Sequence, residues 1–261
     1  MKADSSVEVG VVFMNYKMIF IEGLPGTGKT TLSEKIFEMF IKQGKQAELL
    51  QEGDKIPSNL DNIAGIPKTV FVGLKNEINV ITKTENYVFV DLENCSEEVT
   101  NQLRCYDIGD VFNPSVSAHE YAHCTLEWWQ YWVNNNIKEA VLILDSAYMQ
   151  CPINAMVYKK ASDAEIKMYI QAITEIIKPY NPFCIYLRRE SAKISIDFAK
   201  AVKSEDWAIR VEKLLDELDC LDVFERRFHL EQTLLSLIPN LVCDINGYDW
   251  SDVETKIQAL F

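Results

Sequence analysis

Apolar residues along this chain fall into short blocks that alternate between two spacings. Lys17-Met18-Ile19-Phe20-Ile21-Glu22 is an apolar run closed by glycine, as expected of a strand buried on both faces. After a glycine-rich stretch, Leu32, Ile36, Met39 and Phe40 recur at helical intervals up to Gly44, a natural helix stop. Ala47 to Leu50 predicts a second strand, expected beside the first, with Gln51-Glu52-Gly53-Asp54 as a polar loop at its end. From Pro57 to Asn94 the pattern is mixed, and Val70 to Val72 and Tyr87 to Val90 read as strands.

The second half of the chain is more regular. Ala118 to Val133 has helical spacing and runs into Asn134-Asn135-Asn136. Ala140 to Leu144, closed by Asp145, predicts a central strand, and Phe183 to Leu187 and Leu241 to Asp244 predict two more. Helices are expected over Asp163 to Lys178, Ala192 to Val202, Trp207 to Leu218, Asp222 to Leu237 and Trp250 to Leu260. Strands separated by helices predict an α/β fold of three layers, a parallel sheet with helices on both faces. Residues 1–16 read as an N-terminal extension and 17–261 as one domain, with 59–114 as a partial insertion.

Charge narrows the partners. The 261 residues carry 26 Lys and Arg against 39 Asp and Glu, a formal net charge of -13. Such a field repels phosphate, so nucleic acid and anionic membrane surfaces are not expected partners, and any phosphate ligand needs a local device to hold it. The seven cysteines form no C-x-x-C pair and predict reduced thiols in a cytoplasmic protein. No stretch reaches the roughly 20 apolar residues of a membrane span, and Met1 to Tyr16 lacks the basic start of a signal peptide.

The local device is present. Gly23-Leu24-Pro25-Gly26-Thr27-Gly28-Lys29-Thr30-Thr31 matches the Walker A pattern G-x-x-x-x-G-K-T between a predicted strand and a predicted helix. Glycines let the backbone curl so that successive N–H groups face phosphate oxygens, and the helix start adds its positive dipole end. Lys29 offers an ammonium to the β- and γ-phosphates, and the Thr30 hydroxyl can ligate Mg²⁺. The pattern implies a nucleoside triphosphate and Mg²⁺ as ligands, with Gly23, Gly26, Thr27, Gly28, Lys29, Thr30 and Thr31 holding the nucleotide.

Other residues can complete such a site. Asp145, at a strand end, is placed to hold Mg²⁺ or an acceptor hydroxyl. Glu52 and Asp54 are candidate acceptor bases. Arg188 and Arg189, ahead of a segment with Lys193, Lys200, Lys203 and Arg210, can neutralise a transferring phosphoryl group. Trp128, Trp129, Tyr131 and Trp132 cannot all face one core from a single helix, so some can line a cavity. A rival motif, His119-Glu120-Tyr121-Ala122-His123, is a literal H-E-x-x-H of zinc peptidases. It lacks the metzincin extension, and the helix is expected to end before Glu139, the one nearby third ligand.

Together these residues resemble the P-loop kinases of the nucleoside and nucleotide monophosphate kinase group, thymidylate-kinase-like in layout. The resemblance is specific at Gly23 to Thr31, and extends by element order over most of 17–261. It implies transfer of the ATP γ-phosphoryl group to a small-molecule acceptor, Glu52 as the carboxylate serving the acceptor, and a lid at Arg188 to Arg210. The chain departs from the family where Ser146-Ala147 follow Asp145, since an arginine commonly stands there to bind an acceptor phosphate. No Asn-Lys-x-Asp or Leu-Ser-Gly-Gly-Gln segment points to a GTPase or an ABC ATPase. An NTPase or ATP-dependent switch acting on a protein partner is the other phosphate-loop reading. The sequence is silent on oligomeric state.

Overall fold

The computed structural model describes residues 16–54, 56–72, 78–209, 220–245 and 250–260. Five strands form one parallel sheet: β1 (Met18–Glu22), β2 (Ala47–Leu50), β6 (Val141–Asp145), β7 (Pro182–Arg188) and β8 (Asn240–Asp244). Their order across the sheet is β2-β6-β1-β7-β8. The second strand is therefore not beside the first; β6 lies between them, pairing Ile21 with Asp145. That order sets the end of β6 directly against the end of β1.

Alternation along the strands builds two cores. Ile19, Ile21, Ile143, Ile185 and Leu187 face α1 (Lys29–Lys42) and the closing helix, which contribute Leu32, Ile36, Phe40, Val253 and Ile257. Met18, Phe20, Leu142, Leu144 and Tyr186 face the opposite side. There they meet α4 (Ala118–Asn136), α5 (Gln150–Tyr158), α6 (Asp163–Ile177) and α8 (Cys220–Leu234). The closing helix is α9 (Ser251–Leu260), and α7 (Ala192–Val202) follows β7. Helices thus cover both faces, as the strand-helix alternation predicts. Among the described residues no helix is long and apolar enough to cross a membrane.

The segment of mixed periodicity is where sequence and structure part. It forms a second sheet, antiparallel, of β3 (Ile63–Pro67), β5 (Tyr87–Asp91) and β4 (Val80–Lys83), with β5 central. Val70 and Phe71 lie in a single helical turn, α2 (Lys68–Phe71), not a strand, and α3 (Glu97–Leu103) follows β5. One face of this sheet holds its own cluster of Ala64, Ile66, Val88, Val90, Val99 and Leu103. The other lies on α4, where Phe89 meets Trp128 with ring centroids 5.1 Å apart. A Cβ on Gly65 would lie 2.1 Å from Cys124 Sγ, so only glycine admits this close approach.

Trp128, Trp129 and Trp132 are all buried in the larger core and line none of the site cavities described below; Tyr131 packs on the same core. Tyr16 is buried against Phe183, so the folded unit takes in the last residue assigned to the extension. Residues 1–15, Arg210 and most of the helix expected over Trp207 to Leu218 lie outside the described residues.

Candidate functional site

The carboxyl ends of β1 and β6 and the start of α1 converge. Gly23, Gly26 and Gly28 all have positive φ, at 137°, 78° and 90°. Gly28 caps α1 in the left-handed region, and a Cβ there would lie 2.4 Å from the Trp250 ring. α3, α4, α6 and α7 each open on a serine whose hydroxyl accepts a first-turn N–H. α1 has no such side chain, and its first turn carries no acidic residue.

The predicted ligating residues meet at this point. Thr30 donates its hydroxyl to Asp145 Oδ2 at 2.8 Å, so two oxygen donors suited to a hard cation stand side by side. Asp145 is buried, and its other oxygen accepts from Ser146 Oγ at 2.7 Å. Ser146 itself has φ 65°, an uncommon conformation for a non-glycine residue. The Lys29 ammonium is buried and donates to Leu24 O at 3.2 Å. Burial pulls its pKa below the ordinary lysine value; Asp145 opposes this, Arg227 adds to it, and Glu52 and Glu22 oppose it further.

The two arginines separate. Arg189 is buried, donates through Nε and Nη2 to Gly26 O at 3.3 and 3.2 Å, and lies 3.8 Å over the Phe198 ring. Arg188, as the end of β7, instead pairs with Asp244 of β8 through Nε at 2.6 Å and Nη2 at 3.1 Å, and lines neither cavity. The two do not meet at the loop: β7 ends at Arg188, which turns toward β8, and of the pair only Arg189, the next residue, lines the loop cavity. On the following helix, Lys193 is exposed and paired with Asp197, whereas Lys203 reaches the loop cavity.

Two cavities open beside the loop. One, of about 270 Å³, is lined by Gly26 to Thr31, Glu52, Arg189, Phe198, Val202, Lys203 and Trp250. The other, of about 350 Å³, lies between α5 and the segments flanking the small sheet, with Ile56, Leu60, Ile108, Tyr121, Asn154 and Tyr158 in its wall. Glu52 borders both. Asp54 lines neither; its carboxylate accepts from Gln51 N at 2.7 Å and closes the turn after β2.

A buried ionic network under the loop has no counterpart in the sequence reading. Arg227 of α8 is fully buried and donates to Glu231, to Gly23 O at 3.0 Å, to Gln150 Oε1 at 3.1 Å and to Asn154 Oδ1 at 3.2 Å. Glu231 also accepts from Tyr186 OH at 2.7 Å. Glu22, the last residue of β1, accepts from the N–H groups of Tyr148, Met149 and Gln150 at 2.6, 3.1 and 3.0 Å, and so caps α5. Burial still pushes its carboxyl up to about 7; the Glu231 charge adds to this, while the three N–H groups oppose it. Arg227 and Glu231, four apart on a helix, read as an ordinary surface pair until the topology buries them.

The H-E-x-x-H segment sits elsewhere. The rings of His119 and His123 lie 4.5 Å apart, tilted by 57°, on the exposed start of α4, and Glu120 is taken up by a capping box with Ser117. α4 ends at Asn136, ahead of Glu139, which is exposed and 3.9 Å from Lys17. Among the described residues no group of three or more His, Cys, Asp or Glu is placed to hold a metal ion.

No protein-family model matches this chain, and no curated protein matches it. The chemistry of the site itself carries the functional argument.

Proposed function

We propose that this protein is an ATP-dependent phosphotransferase with a P-loop fold, moving the γ-phosphoryl group to a small-molecule acceptor. The observation that carries this reading is the pair of cavities with Glu52 as their common wall, one enclosed by the glycine loop and the other by α5 and the small sheet. An NTPase acting on a protein partner has no need of the second cavity.

The residues fit a nucleotide and its cation. The uncapped start of α1 and the glycine turn offer backbone donors, in a concavity that a Cβ at Gly28 would fill. Lys29 would hold the terminal phosphates. Thr30 and Asp145 would hold Mg²⁺, which together with ATP supplies the transferable group and its charge neutralisation. Arg189, tied to Gly26 O, would steady the loop and add positive charge beside the phosphates. Glu52 would orient the acceptor hydroxyl and take its proton.

A thermal-shift titration tests the reading. Magnesium ATP at about 100 times its Kd should stabilise the native state by about 2.7 kcal/mol. For a chain of this size that raises Tm by roughly 5–11 °C. Lys29→Ala should abolish the shift without lowering the Tm of the unliganded protein. If no nucleoside triphosphate shifts the wild type, or if Lys29→Ala responds like the wild type, the reading is wrong.

A further inference from the structure

Glu52 stands on the turn after β2 at an exposed position, where a carboxylate has several rotamers open to it. A group that takes a proton works only when it is held in line with the reacting atoms. The side chain of Gln150, the first residue of α5, reaches it: Gln150 Nε2 lies 3.5 Å from Glu52 Oε2. Gln150 itself is buried and lines neither cavity, so it stands behind the carboxylate rather than against a ligand in either one.

Donor and acceptor chemistry decides which way that amide points. A guanidinium only donates, so the amide atom that meets Arg227 Nη2 at 3.1 Å is the oxygen. The NH₂ group is then the end left for Glu52, and it only donates. Flipping the amide would set its NH₂ against a fully buried guanidinium and its oxygen against a carboxylate, two mismatches at once. The backbone of Gln150 is held as well, because its N–H donates to Glu22 Oε2 at 3.0 Å. Arg227 in turn is tied to Glu231 and to Gly23 O, the first carbonyl of the glycine turn. A chain of contacts thus runs from that turn through Arg227 and Gln150 to the carboxylate that borders both cavities. The last contact is long, as bonds of catalytic groups commonly are before substrate draws them in.

We infer that Gln150 is a positioning residue for the reaction: its NH₂ group, aimed by Arg227, holds the Glu52 carboxylate at the border of the two cavities. The inference rests on the phosphotransferase reading above. In that reading the acceptor hydroxyl oxygen bonds to the γ-phosphorus of ATP as the bond to the leaving ADP oxygen breaks, and the hydroxyl proton passes to Glu52. Gln150 acts on this step only through Glu52. Its loss should slow the transfer and leave the binding of magnesium ATP, which falls to the glycine turn, Lys29, Thr30 and Asp145, as it was.

Steady-state ADP release from magnesium ATP, with water, thymidine, adenosine or glucosamine as the acceptor probe, provides the test. Gln150→Glu keeps an oxygen for Arg227 and the N–H for Glu22, but gives Glu52 an acceptor where it had a donor. Gln150→Leu keeps neither side-chain bond. Both should lower kcat about 10- to 100-fold, with KM for magnesium ATP within about threefold of the wild type. A glutamine needed only to satisfy Arg227 would leave Gln150→Glu active. In the Glu52→Gln background, already slow, Gln150→Leu should cost less than about twofold more, because a residue acting through another is not additive with it. Wild-type kcat in Gln150→Glu, a loss that falls on KM for magnesium ATP, or full additivity with Glu52→Gln would overturn the inference. Failure of the phosphotransferase reading is distinct and removes the ground beneath it: Glu52→Gln would keep the wild-type rate, or the wild type would release no ADP with any probe.

Discussion

Arg227→Met tests whether the buried network holds the floor of the site. Methionine keeps much of the apolar stem and removes the guanidinium. Glu231, fully buried, would keep only the Tyr186 hydroxyl as a partner, and Gly23 O, Gln150 Oε1 and Asn154 Oδ1 would each lose a donor. Breaking a buried ion pair from one side costs about 3–5 kcal/mol. Domains are stable by only about 5–15 kcal/mol in total. With roughly 2–4 °C in Tm per kcal/mol at this chain length, the expected fall is about 6–20 °C. Urea unfolding followed by circular dichroism gives the free energy, with an unchanged m-value as the sign that compactness is unaltered. Adding Glu231→Gln removes the stranded charge and keeps an acceptor for Tyr186, so the double variant should regain about 1–2 kcal/mol of the loss. A single variant that loses under about 1 kcal/mol, or a second substitution that deepens the loss, would refute the argument.

Three further outcomes follow from the same geometry. The Glu22 carboxyl is raised from 4.5 to about 7 by burial, so the folded state binds its proton more tightly than the unfolded state does. Its contribution is fully present below about pH 4.5 and fades as pH rises through about 7, a change of roughly 3 kcal/mol; the wild-type minus Glu22→Gln stability difference, followed by urea midpoints from pH 5 to 8, should therefore fall with pH, and a rise would contradict it. Gly28→Ala forces a Cβ into the Trp250 ring at positive φ and should cost roughly 1–3 kcal/mol together with loss of the nucleotide-induced thermal shift; a variant with both intact would contradict the geometry. Arg189→Ala should lower kcat/KM for ATP turnover about 100-fold, whereas Arg188→Ala should stay within about 2-fold; steady-state kinetics showing the reverse would return Arg188 to the site.

Much of the sheet was legible because each of its strands is a short apolar block next to a helical one. Gly23 to Thr31 was legible for a different reason: tight turns before a helix constrain residue types one by one. The neighbours of that loop were not. Which strand lies beside β1 is decided by crossovers, and sequence proximity placed β2 where the structure has β6, which is far more distant in the chain. Of the small sheet only β5 was legible, over Tyr87 to Val90; β3 escaped because it contains Gly65 and Pro67, and β4 because it alternates half-buried and exposed residues over only four positions. The aromatic residues of α4 could have lined a cavity, but Trp128 packs against Phe89 of the small sheet and Trp129 and Trp132 are buried in the larger core. Glu22 and Arg227 looked unremarkable for want of a local signal, since their partners lie over seventy residues away in the chain, Arg227–Glu231 excepted.

The capping of α5 by Glu22 has a mechanical consequence. The residue just ahead of the glycine turn clamps the helix that supplies Cys151, Asn154, Ala155 and Tyr158 to the larger of the two cavities. Turn and helix are in effect one rigid jaw. Accommodating guests of different outline then falls to the facing jaw, the loop residues 56–61 and 108–111, which hang from the small sheet. A change of guest in this cavity would be expected to rewrite those two loops first and leave the jaw behind the glycine turn untouched.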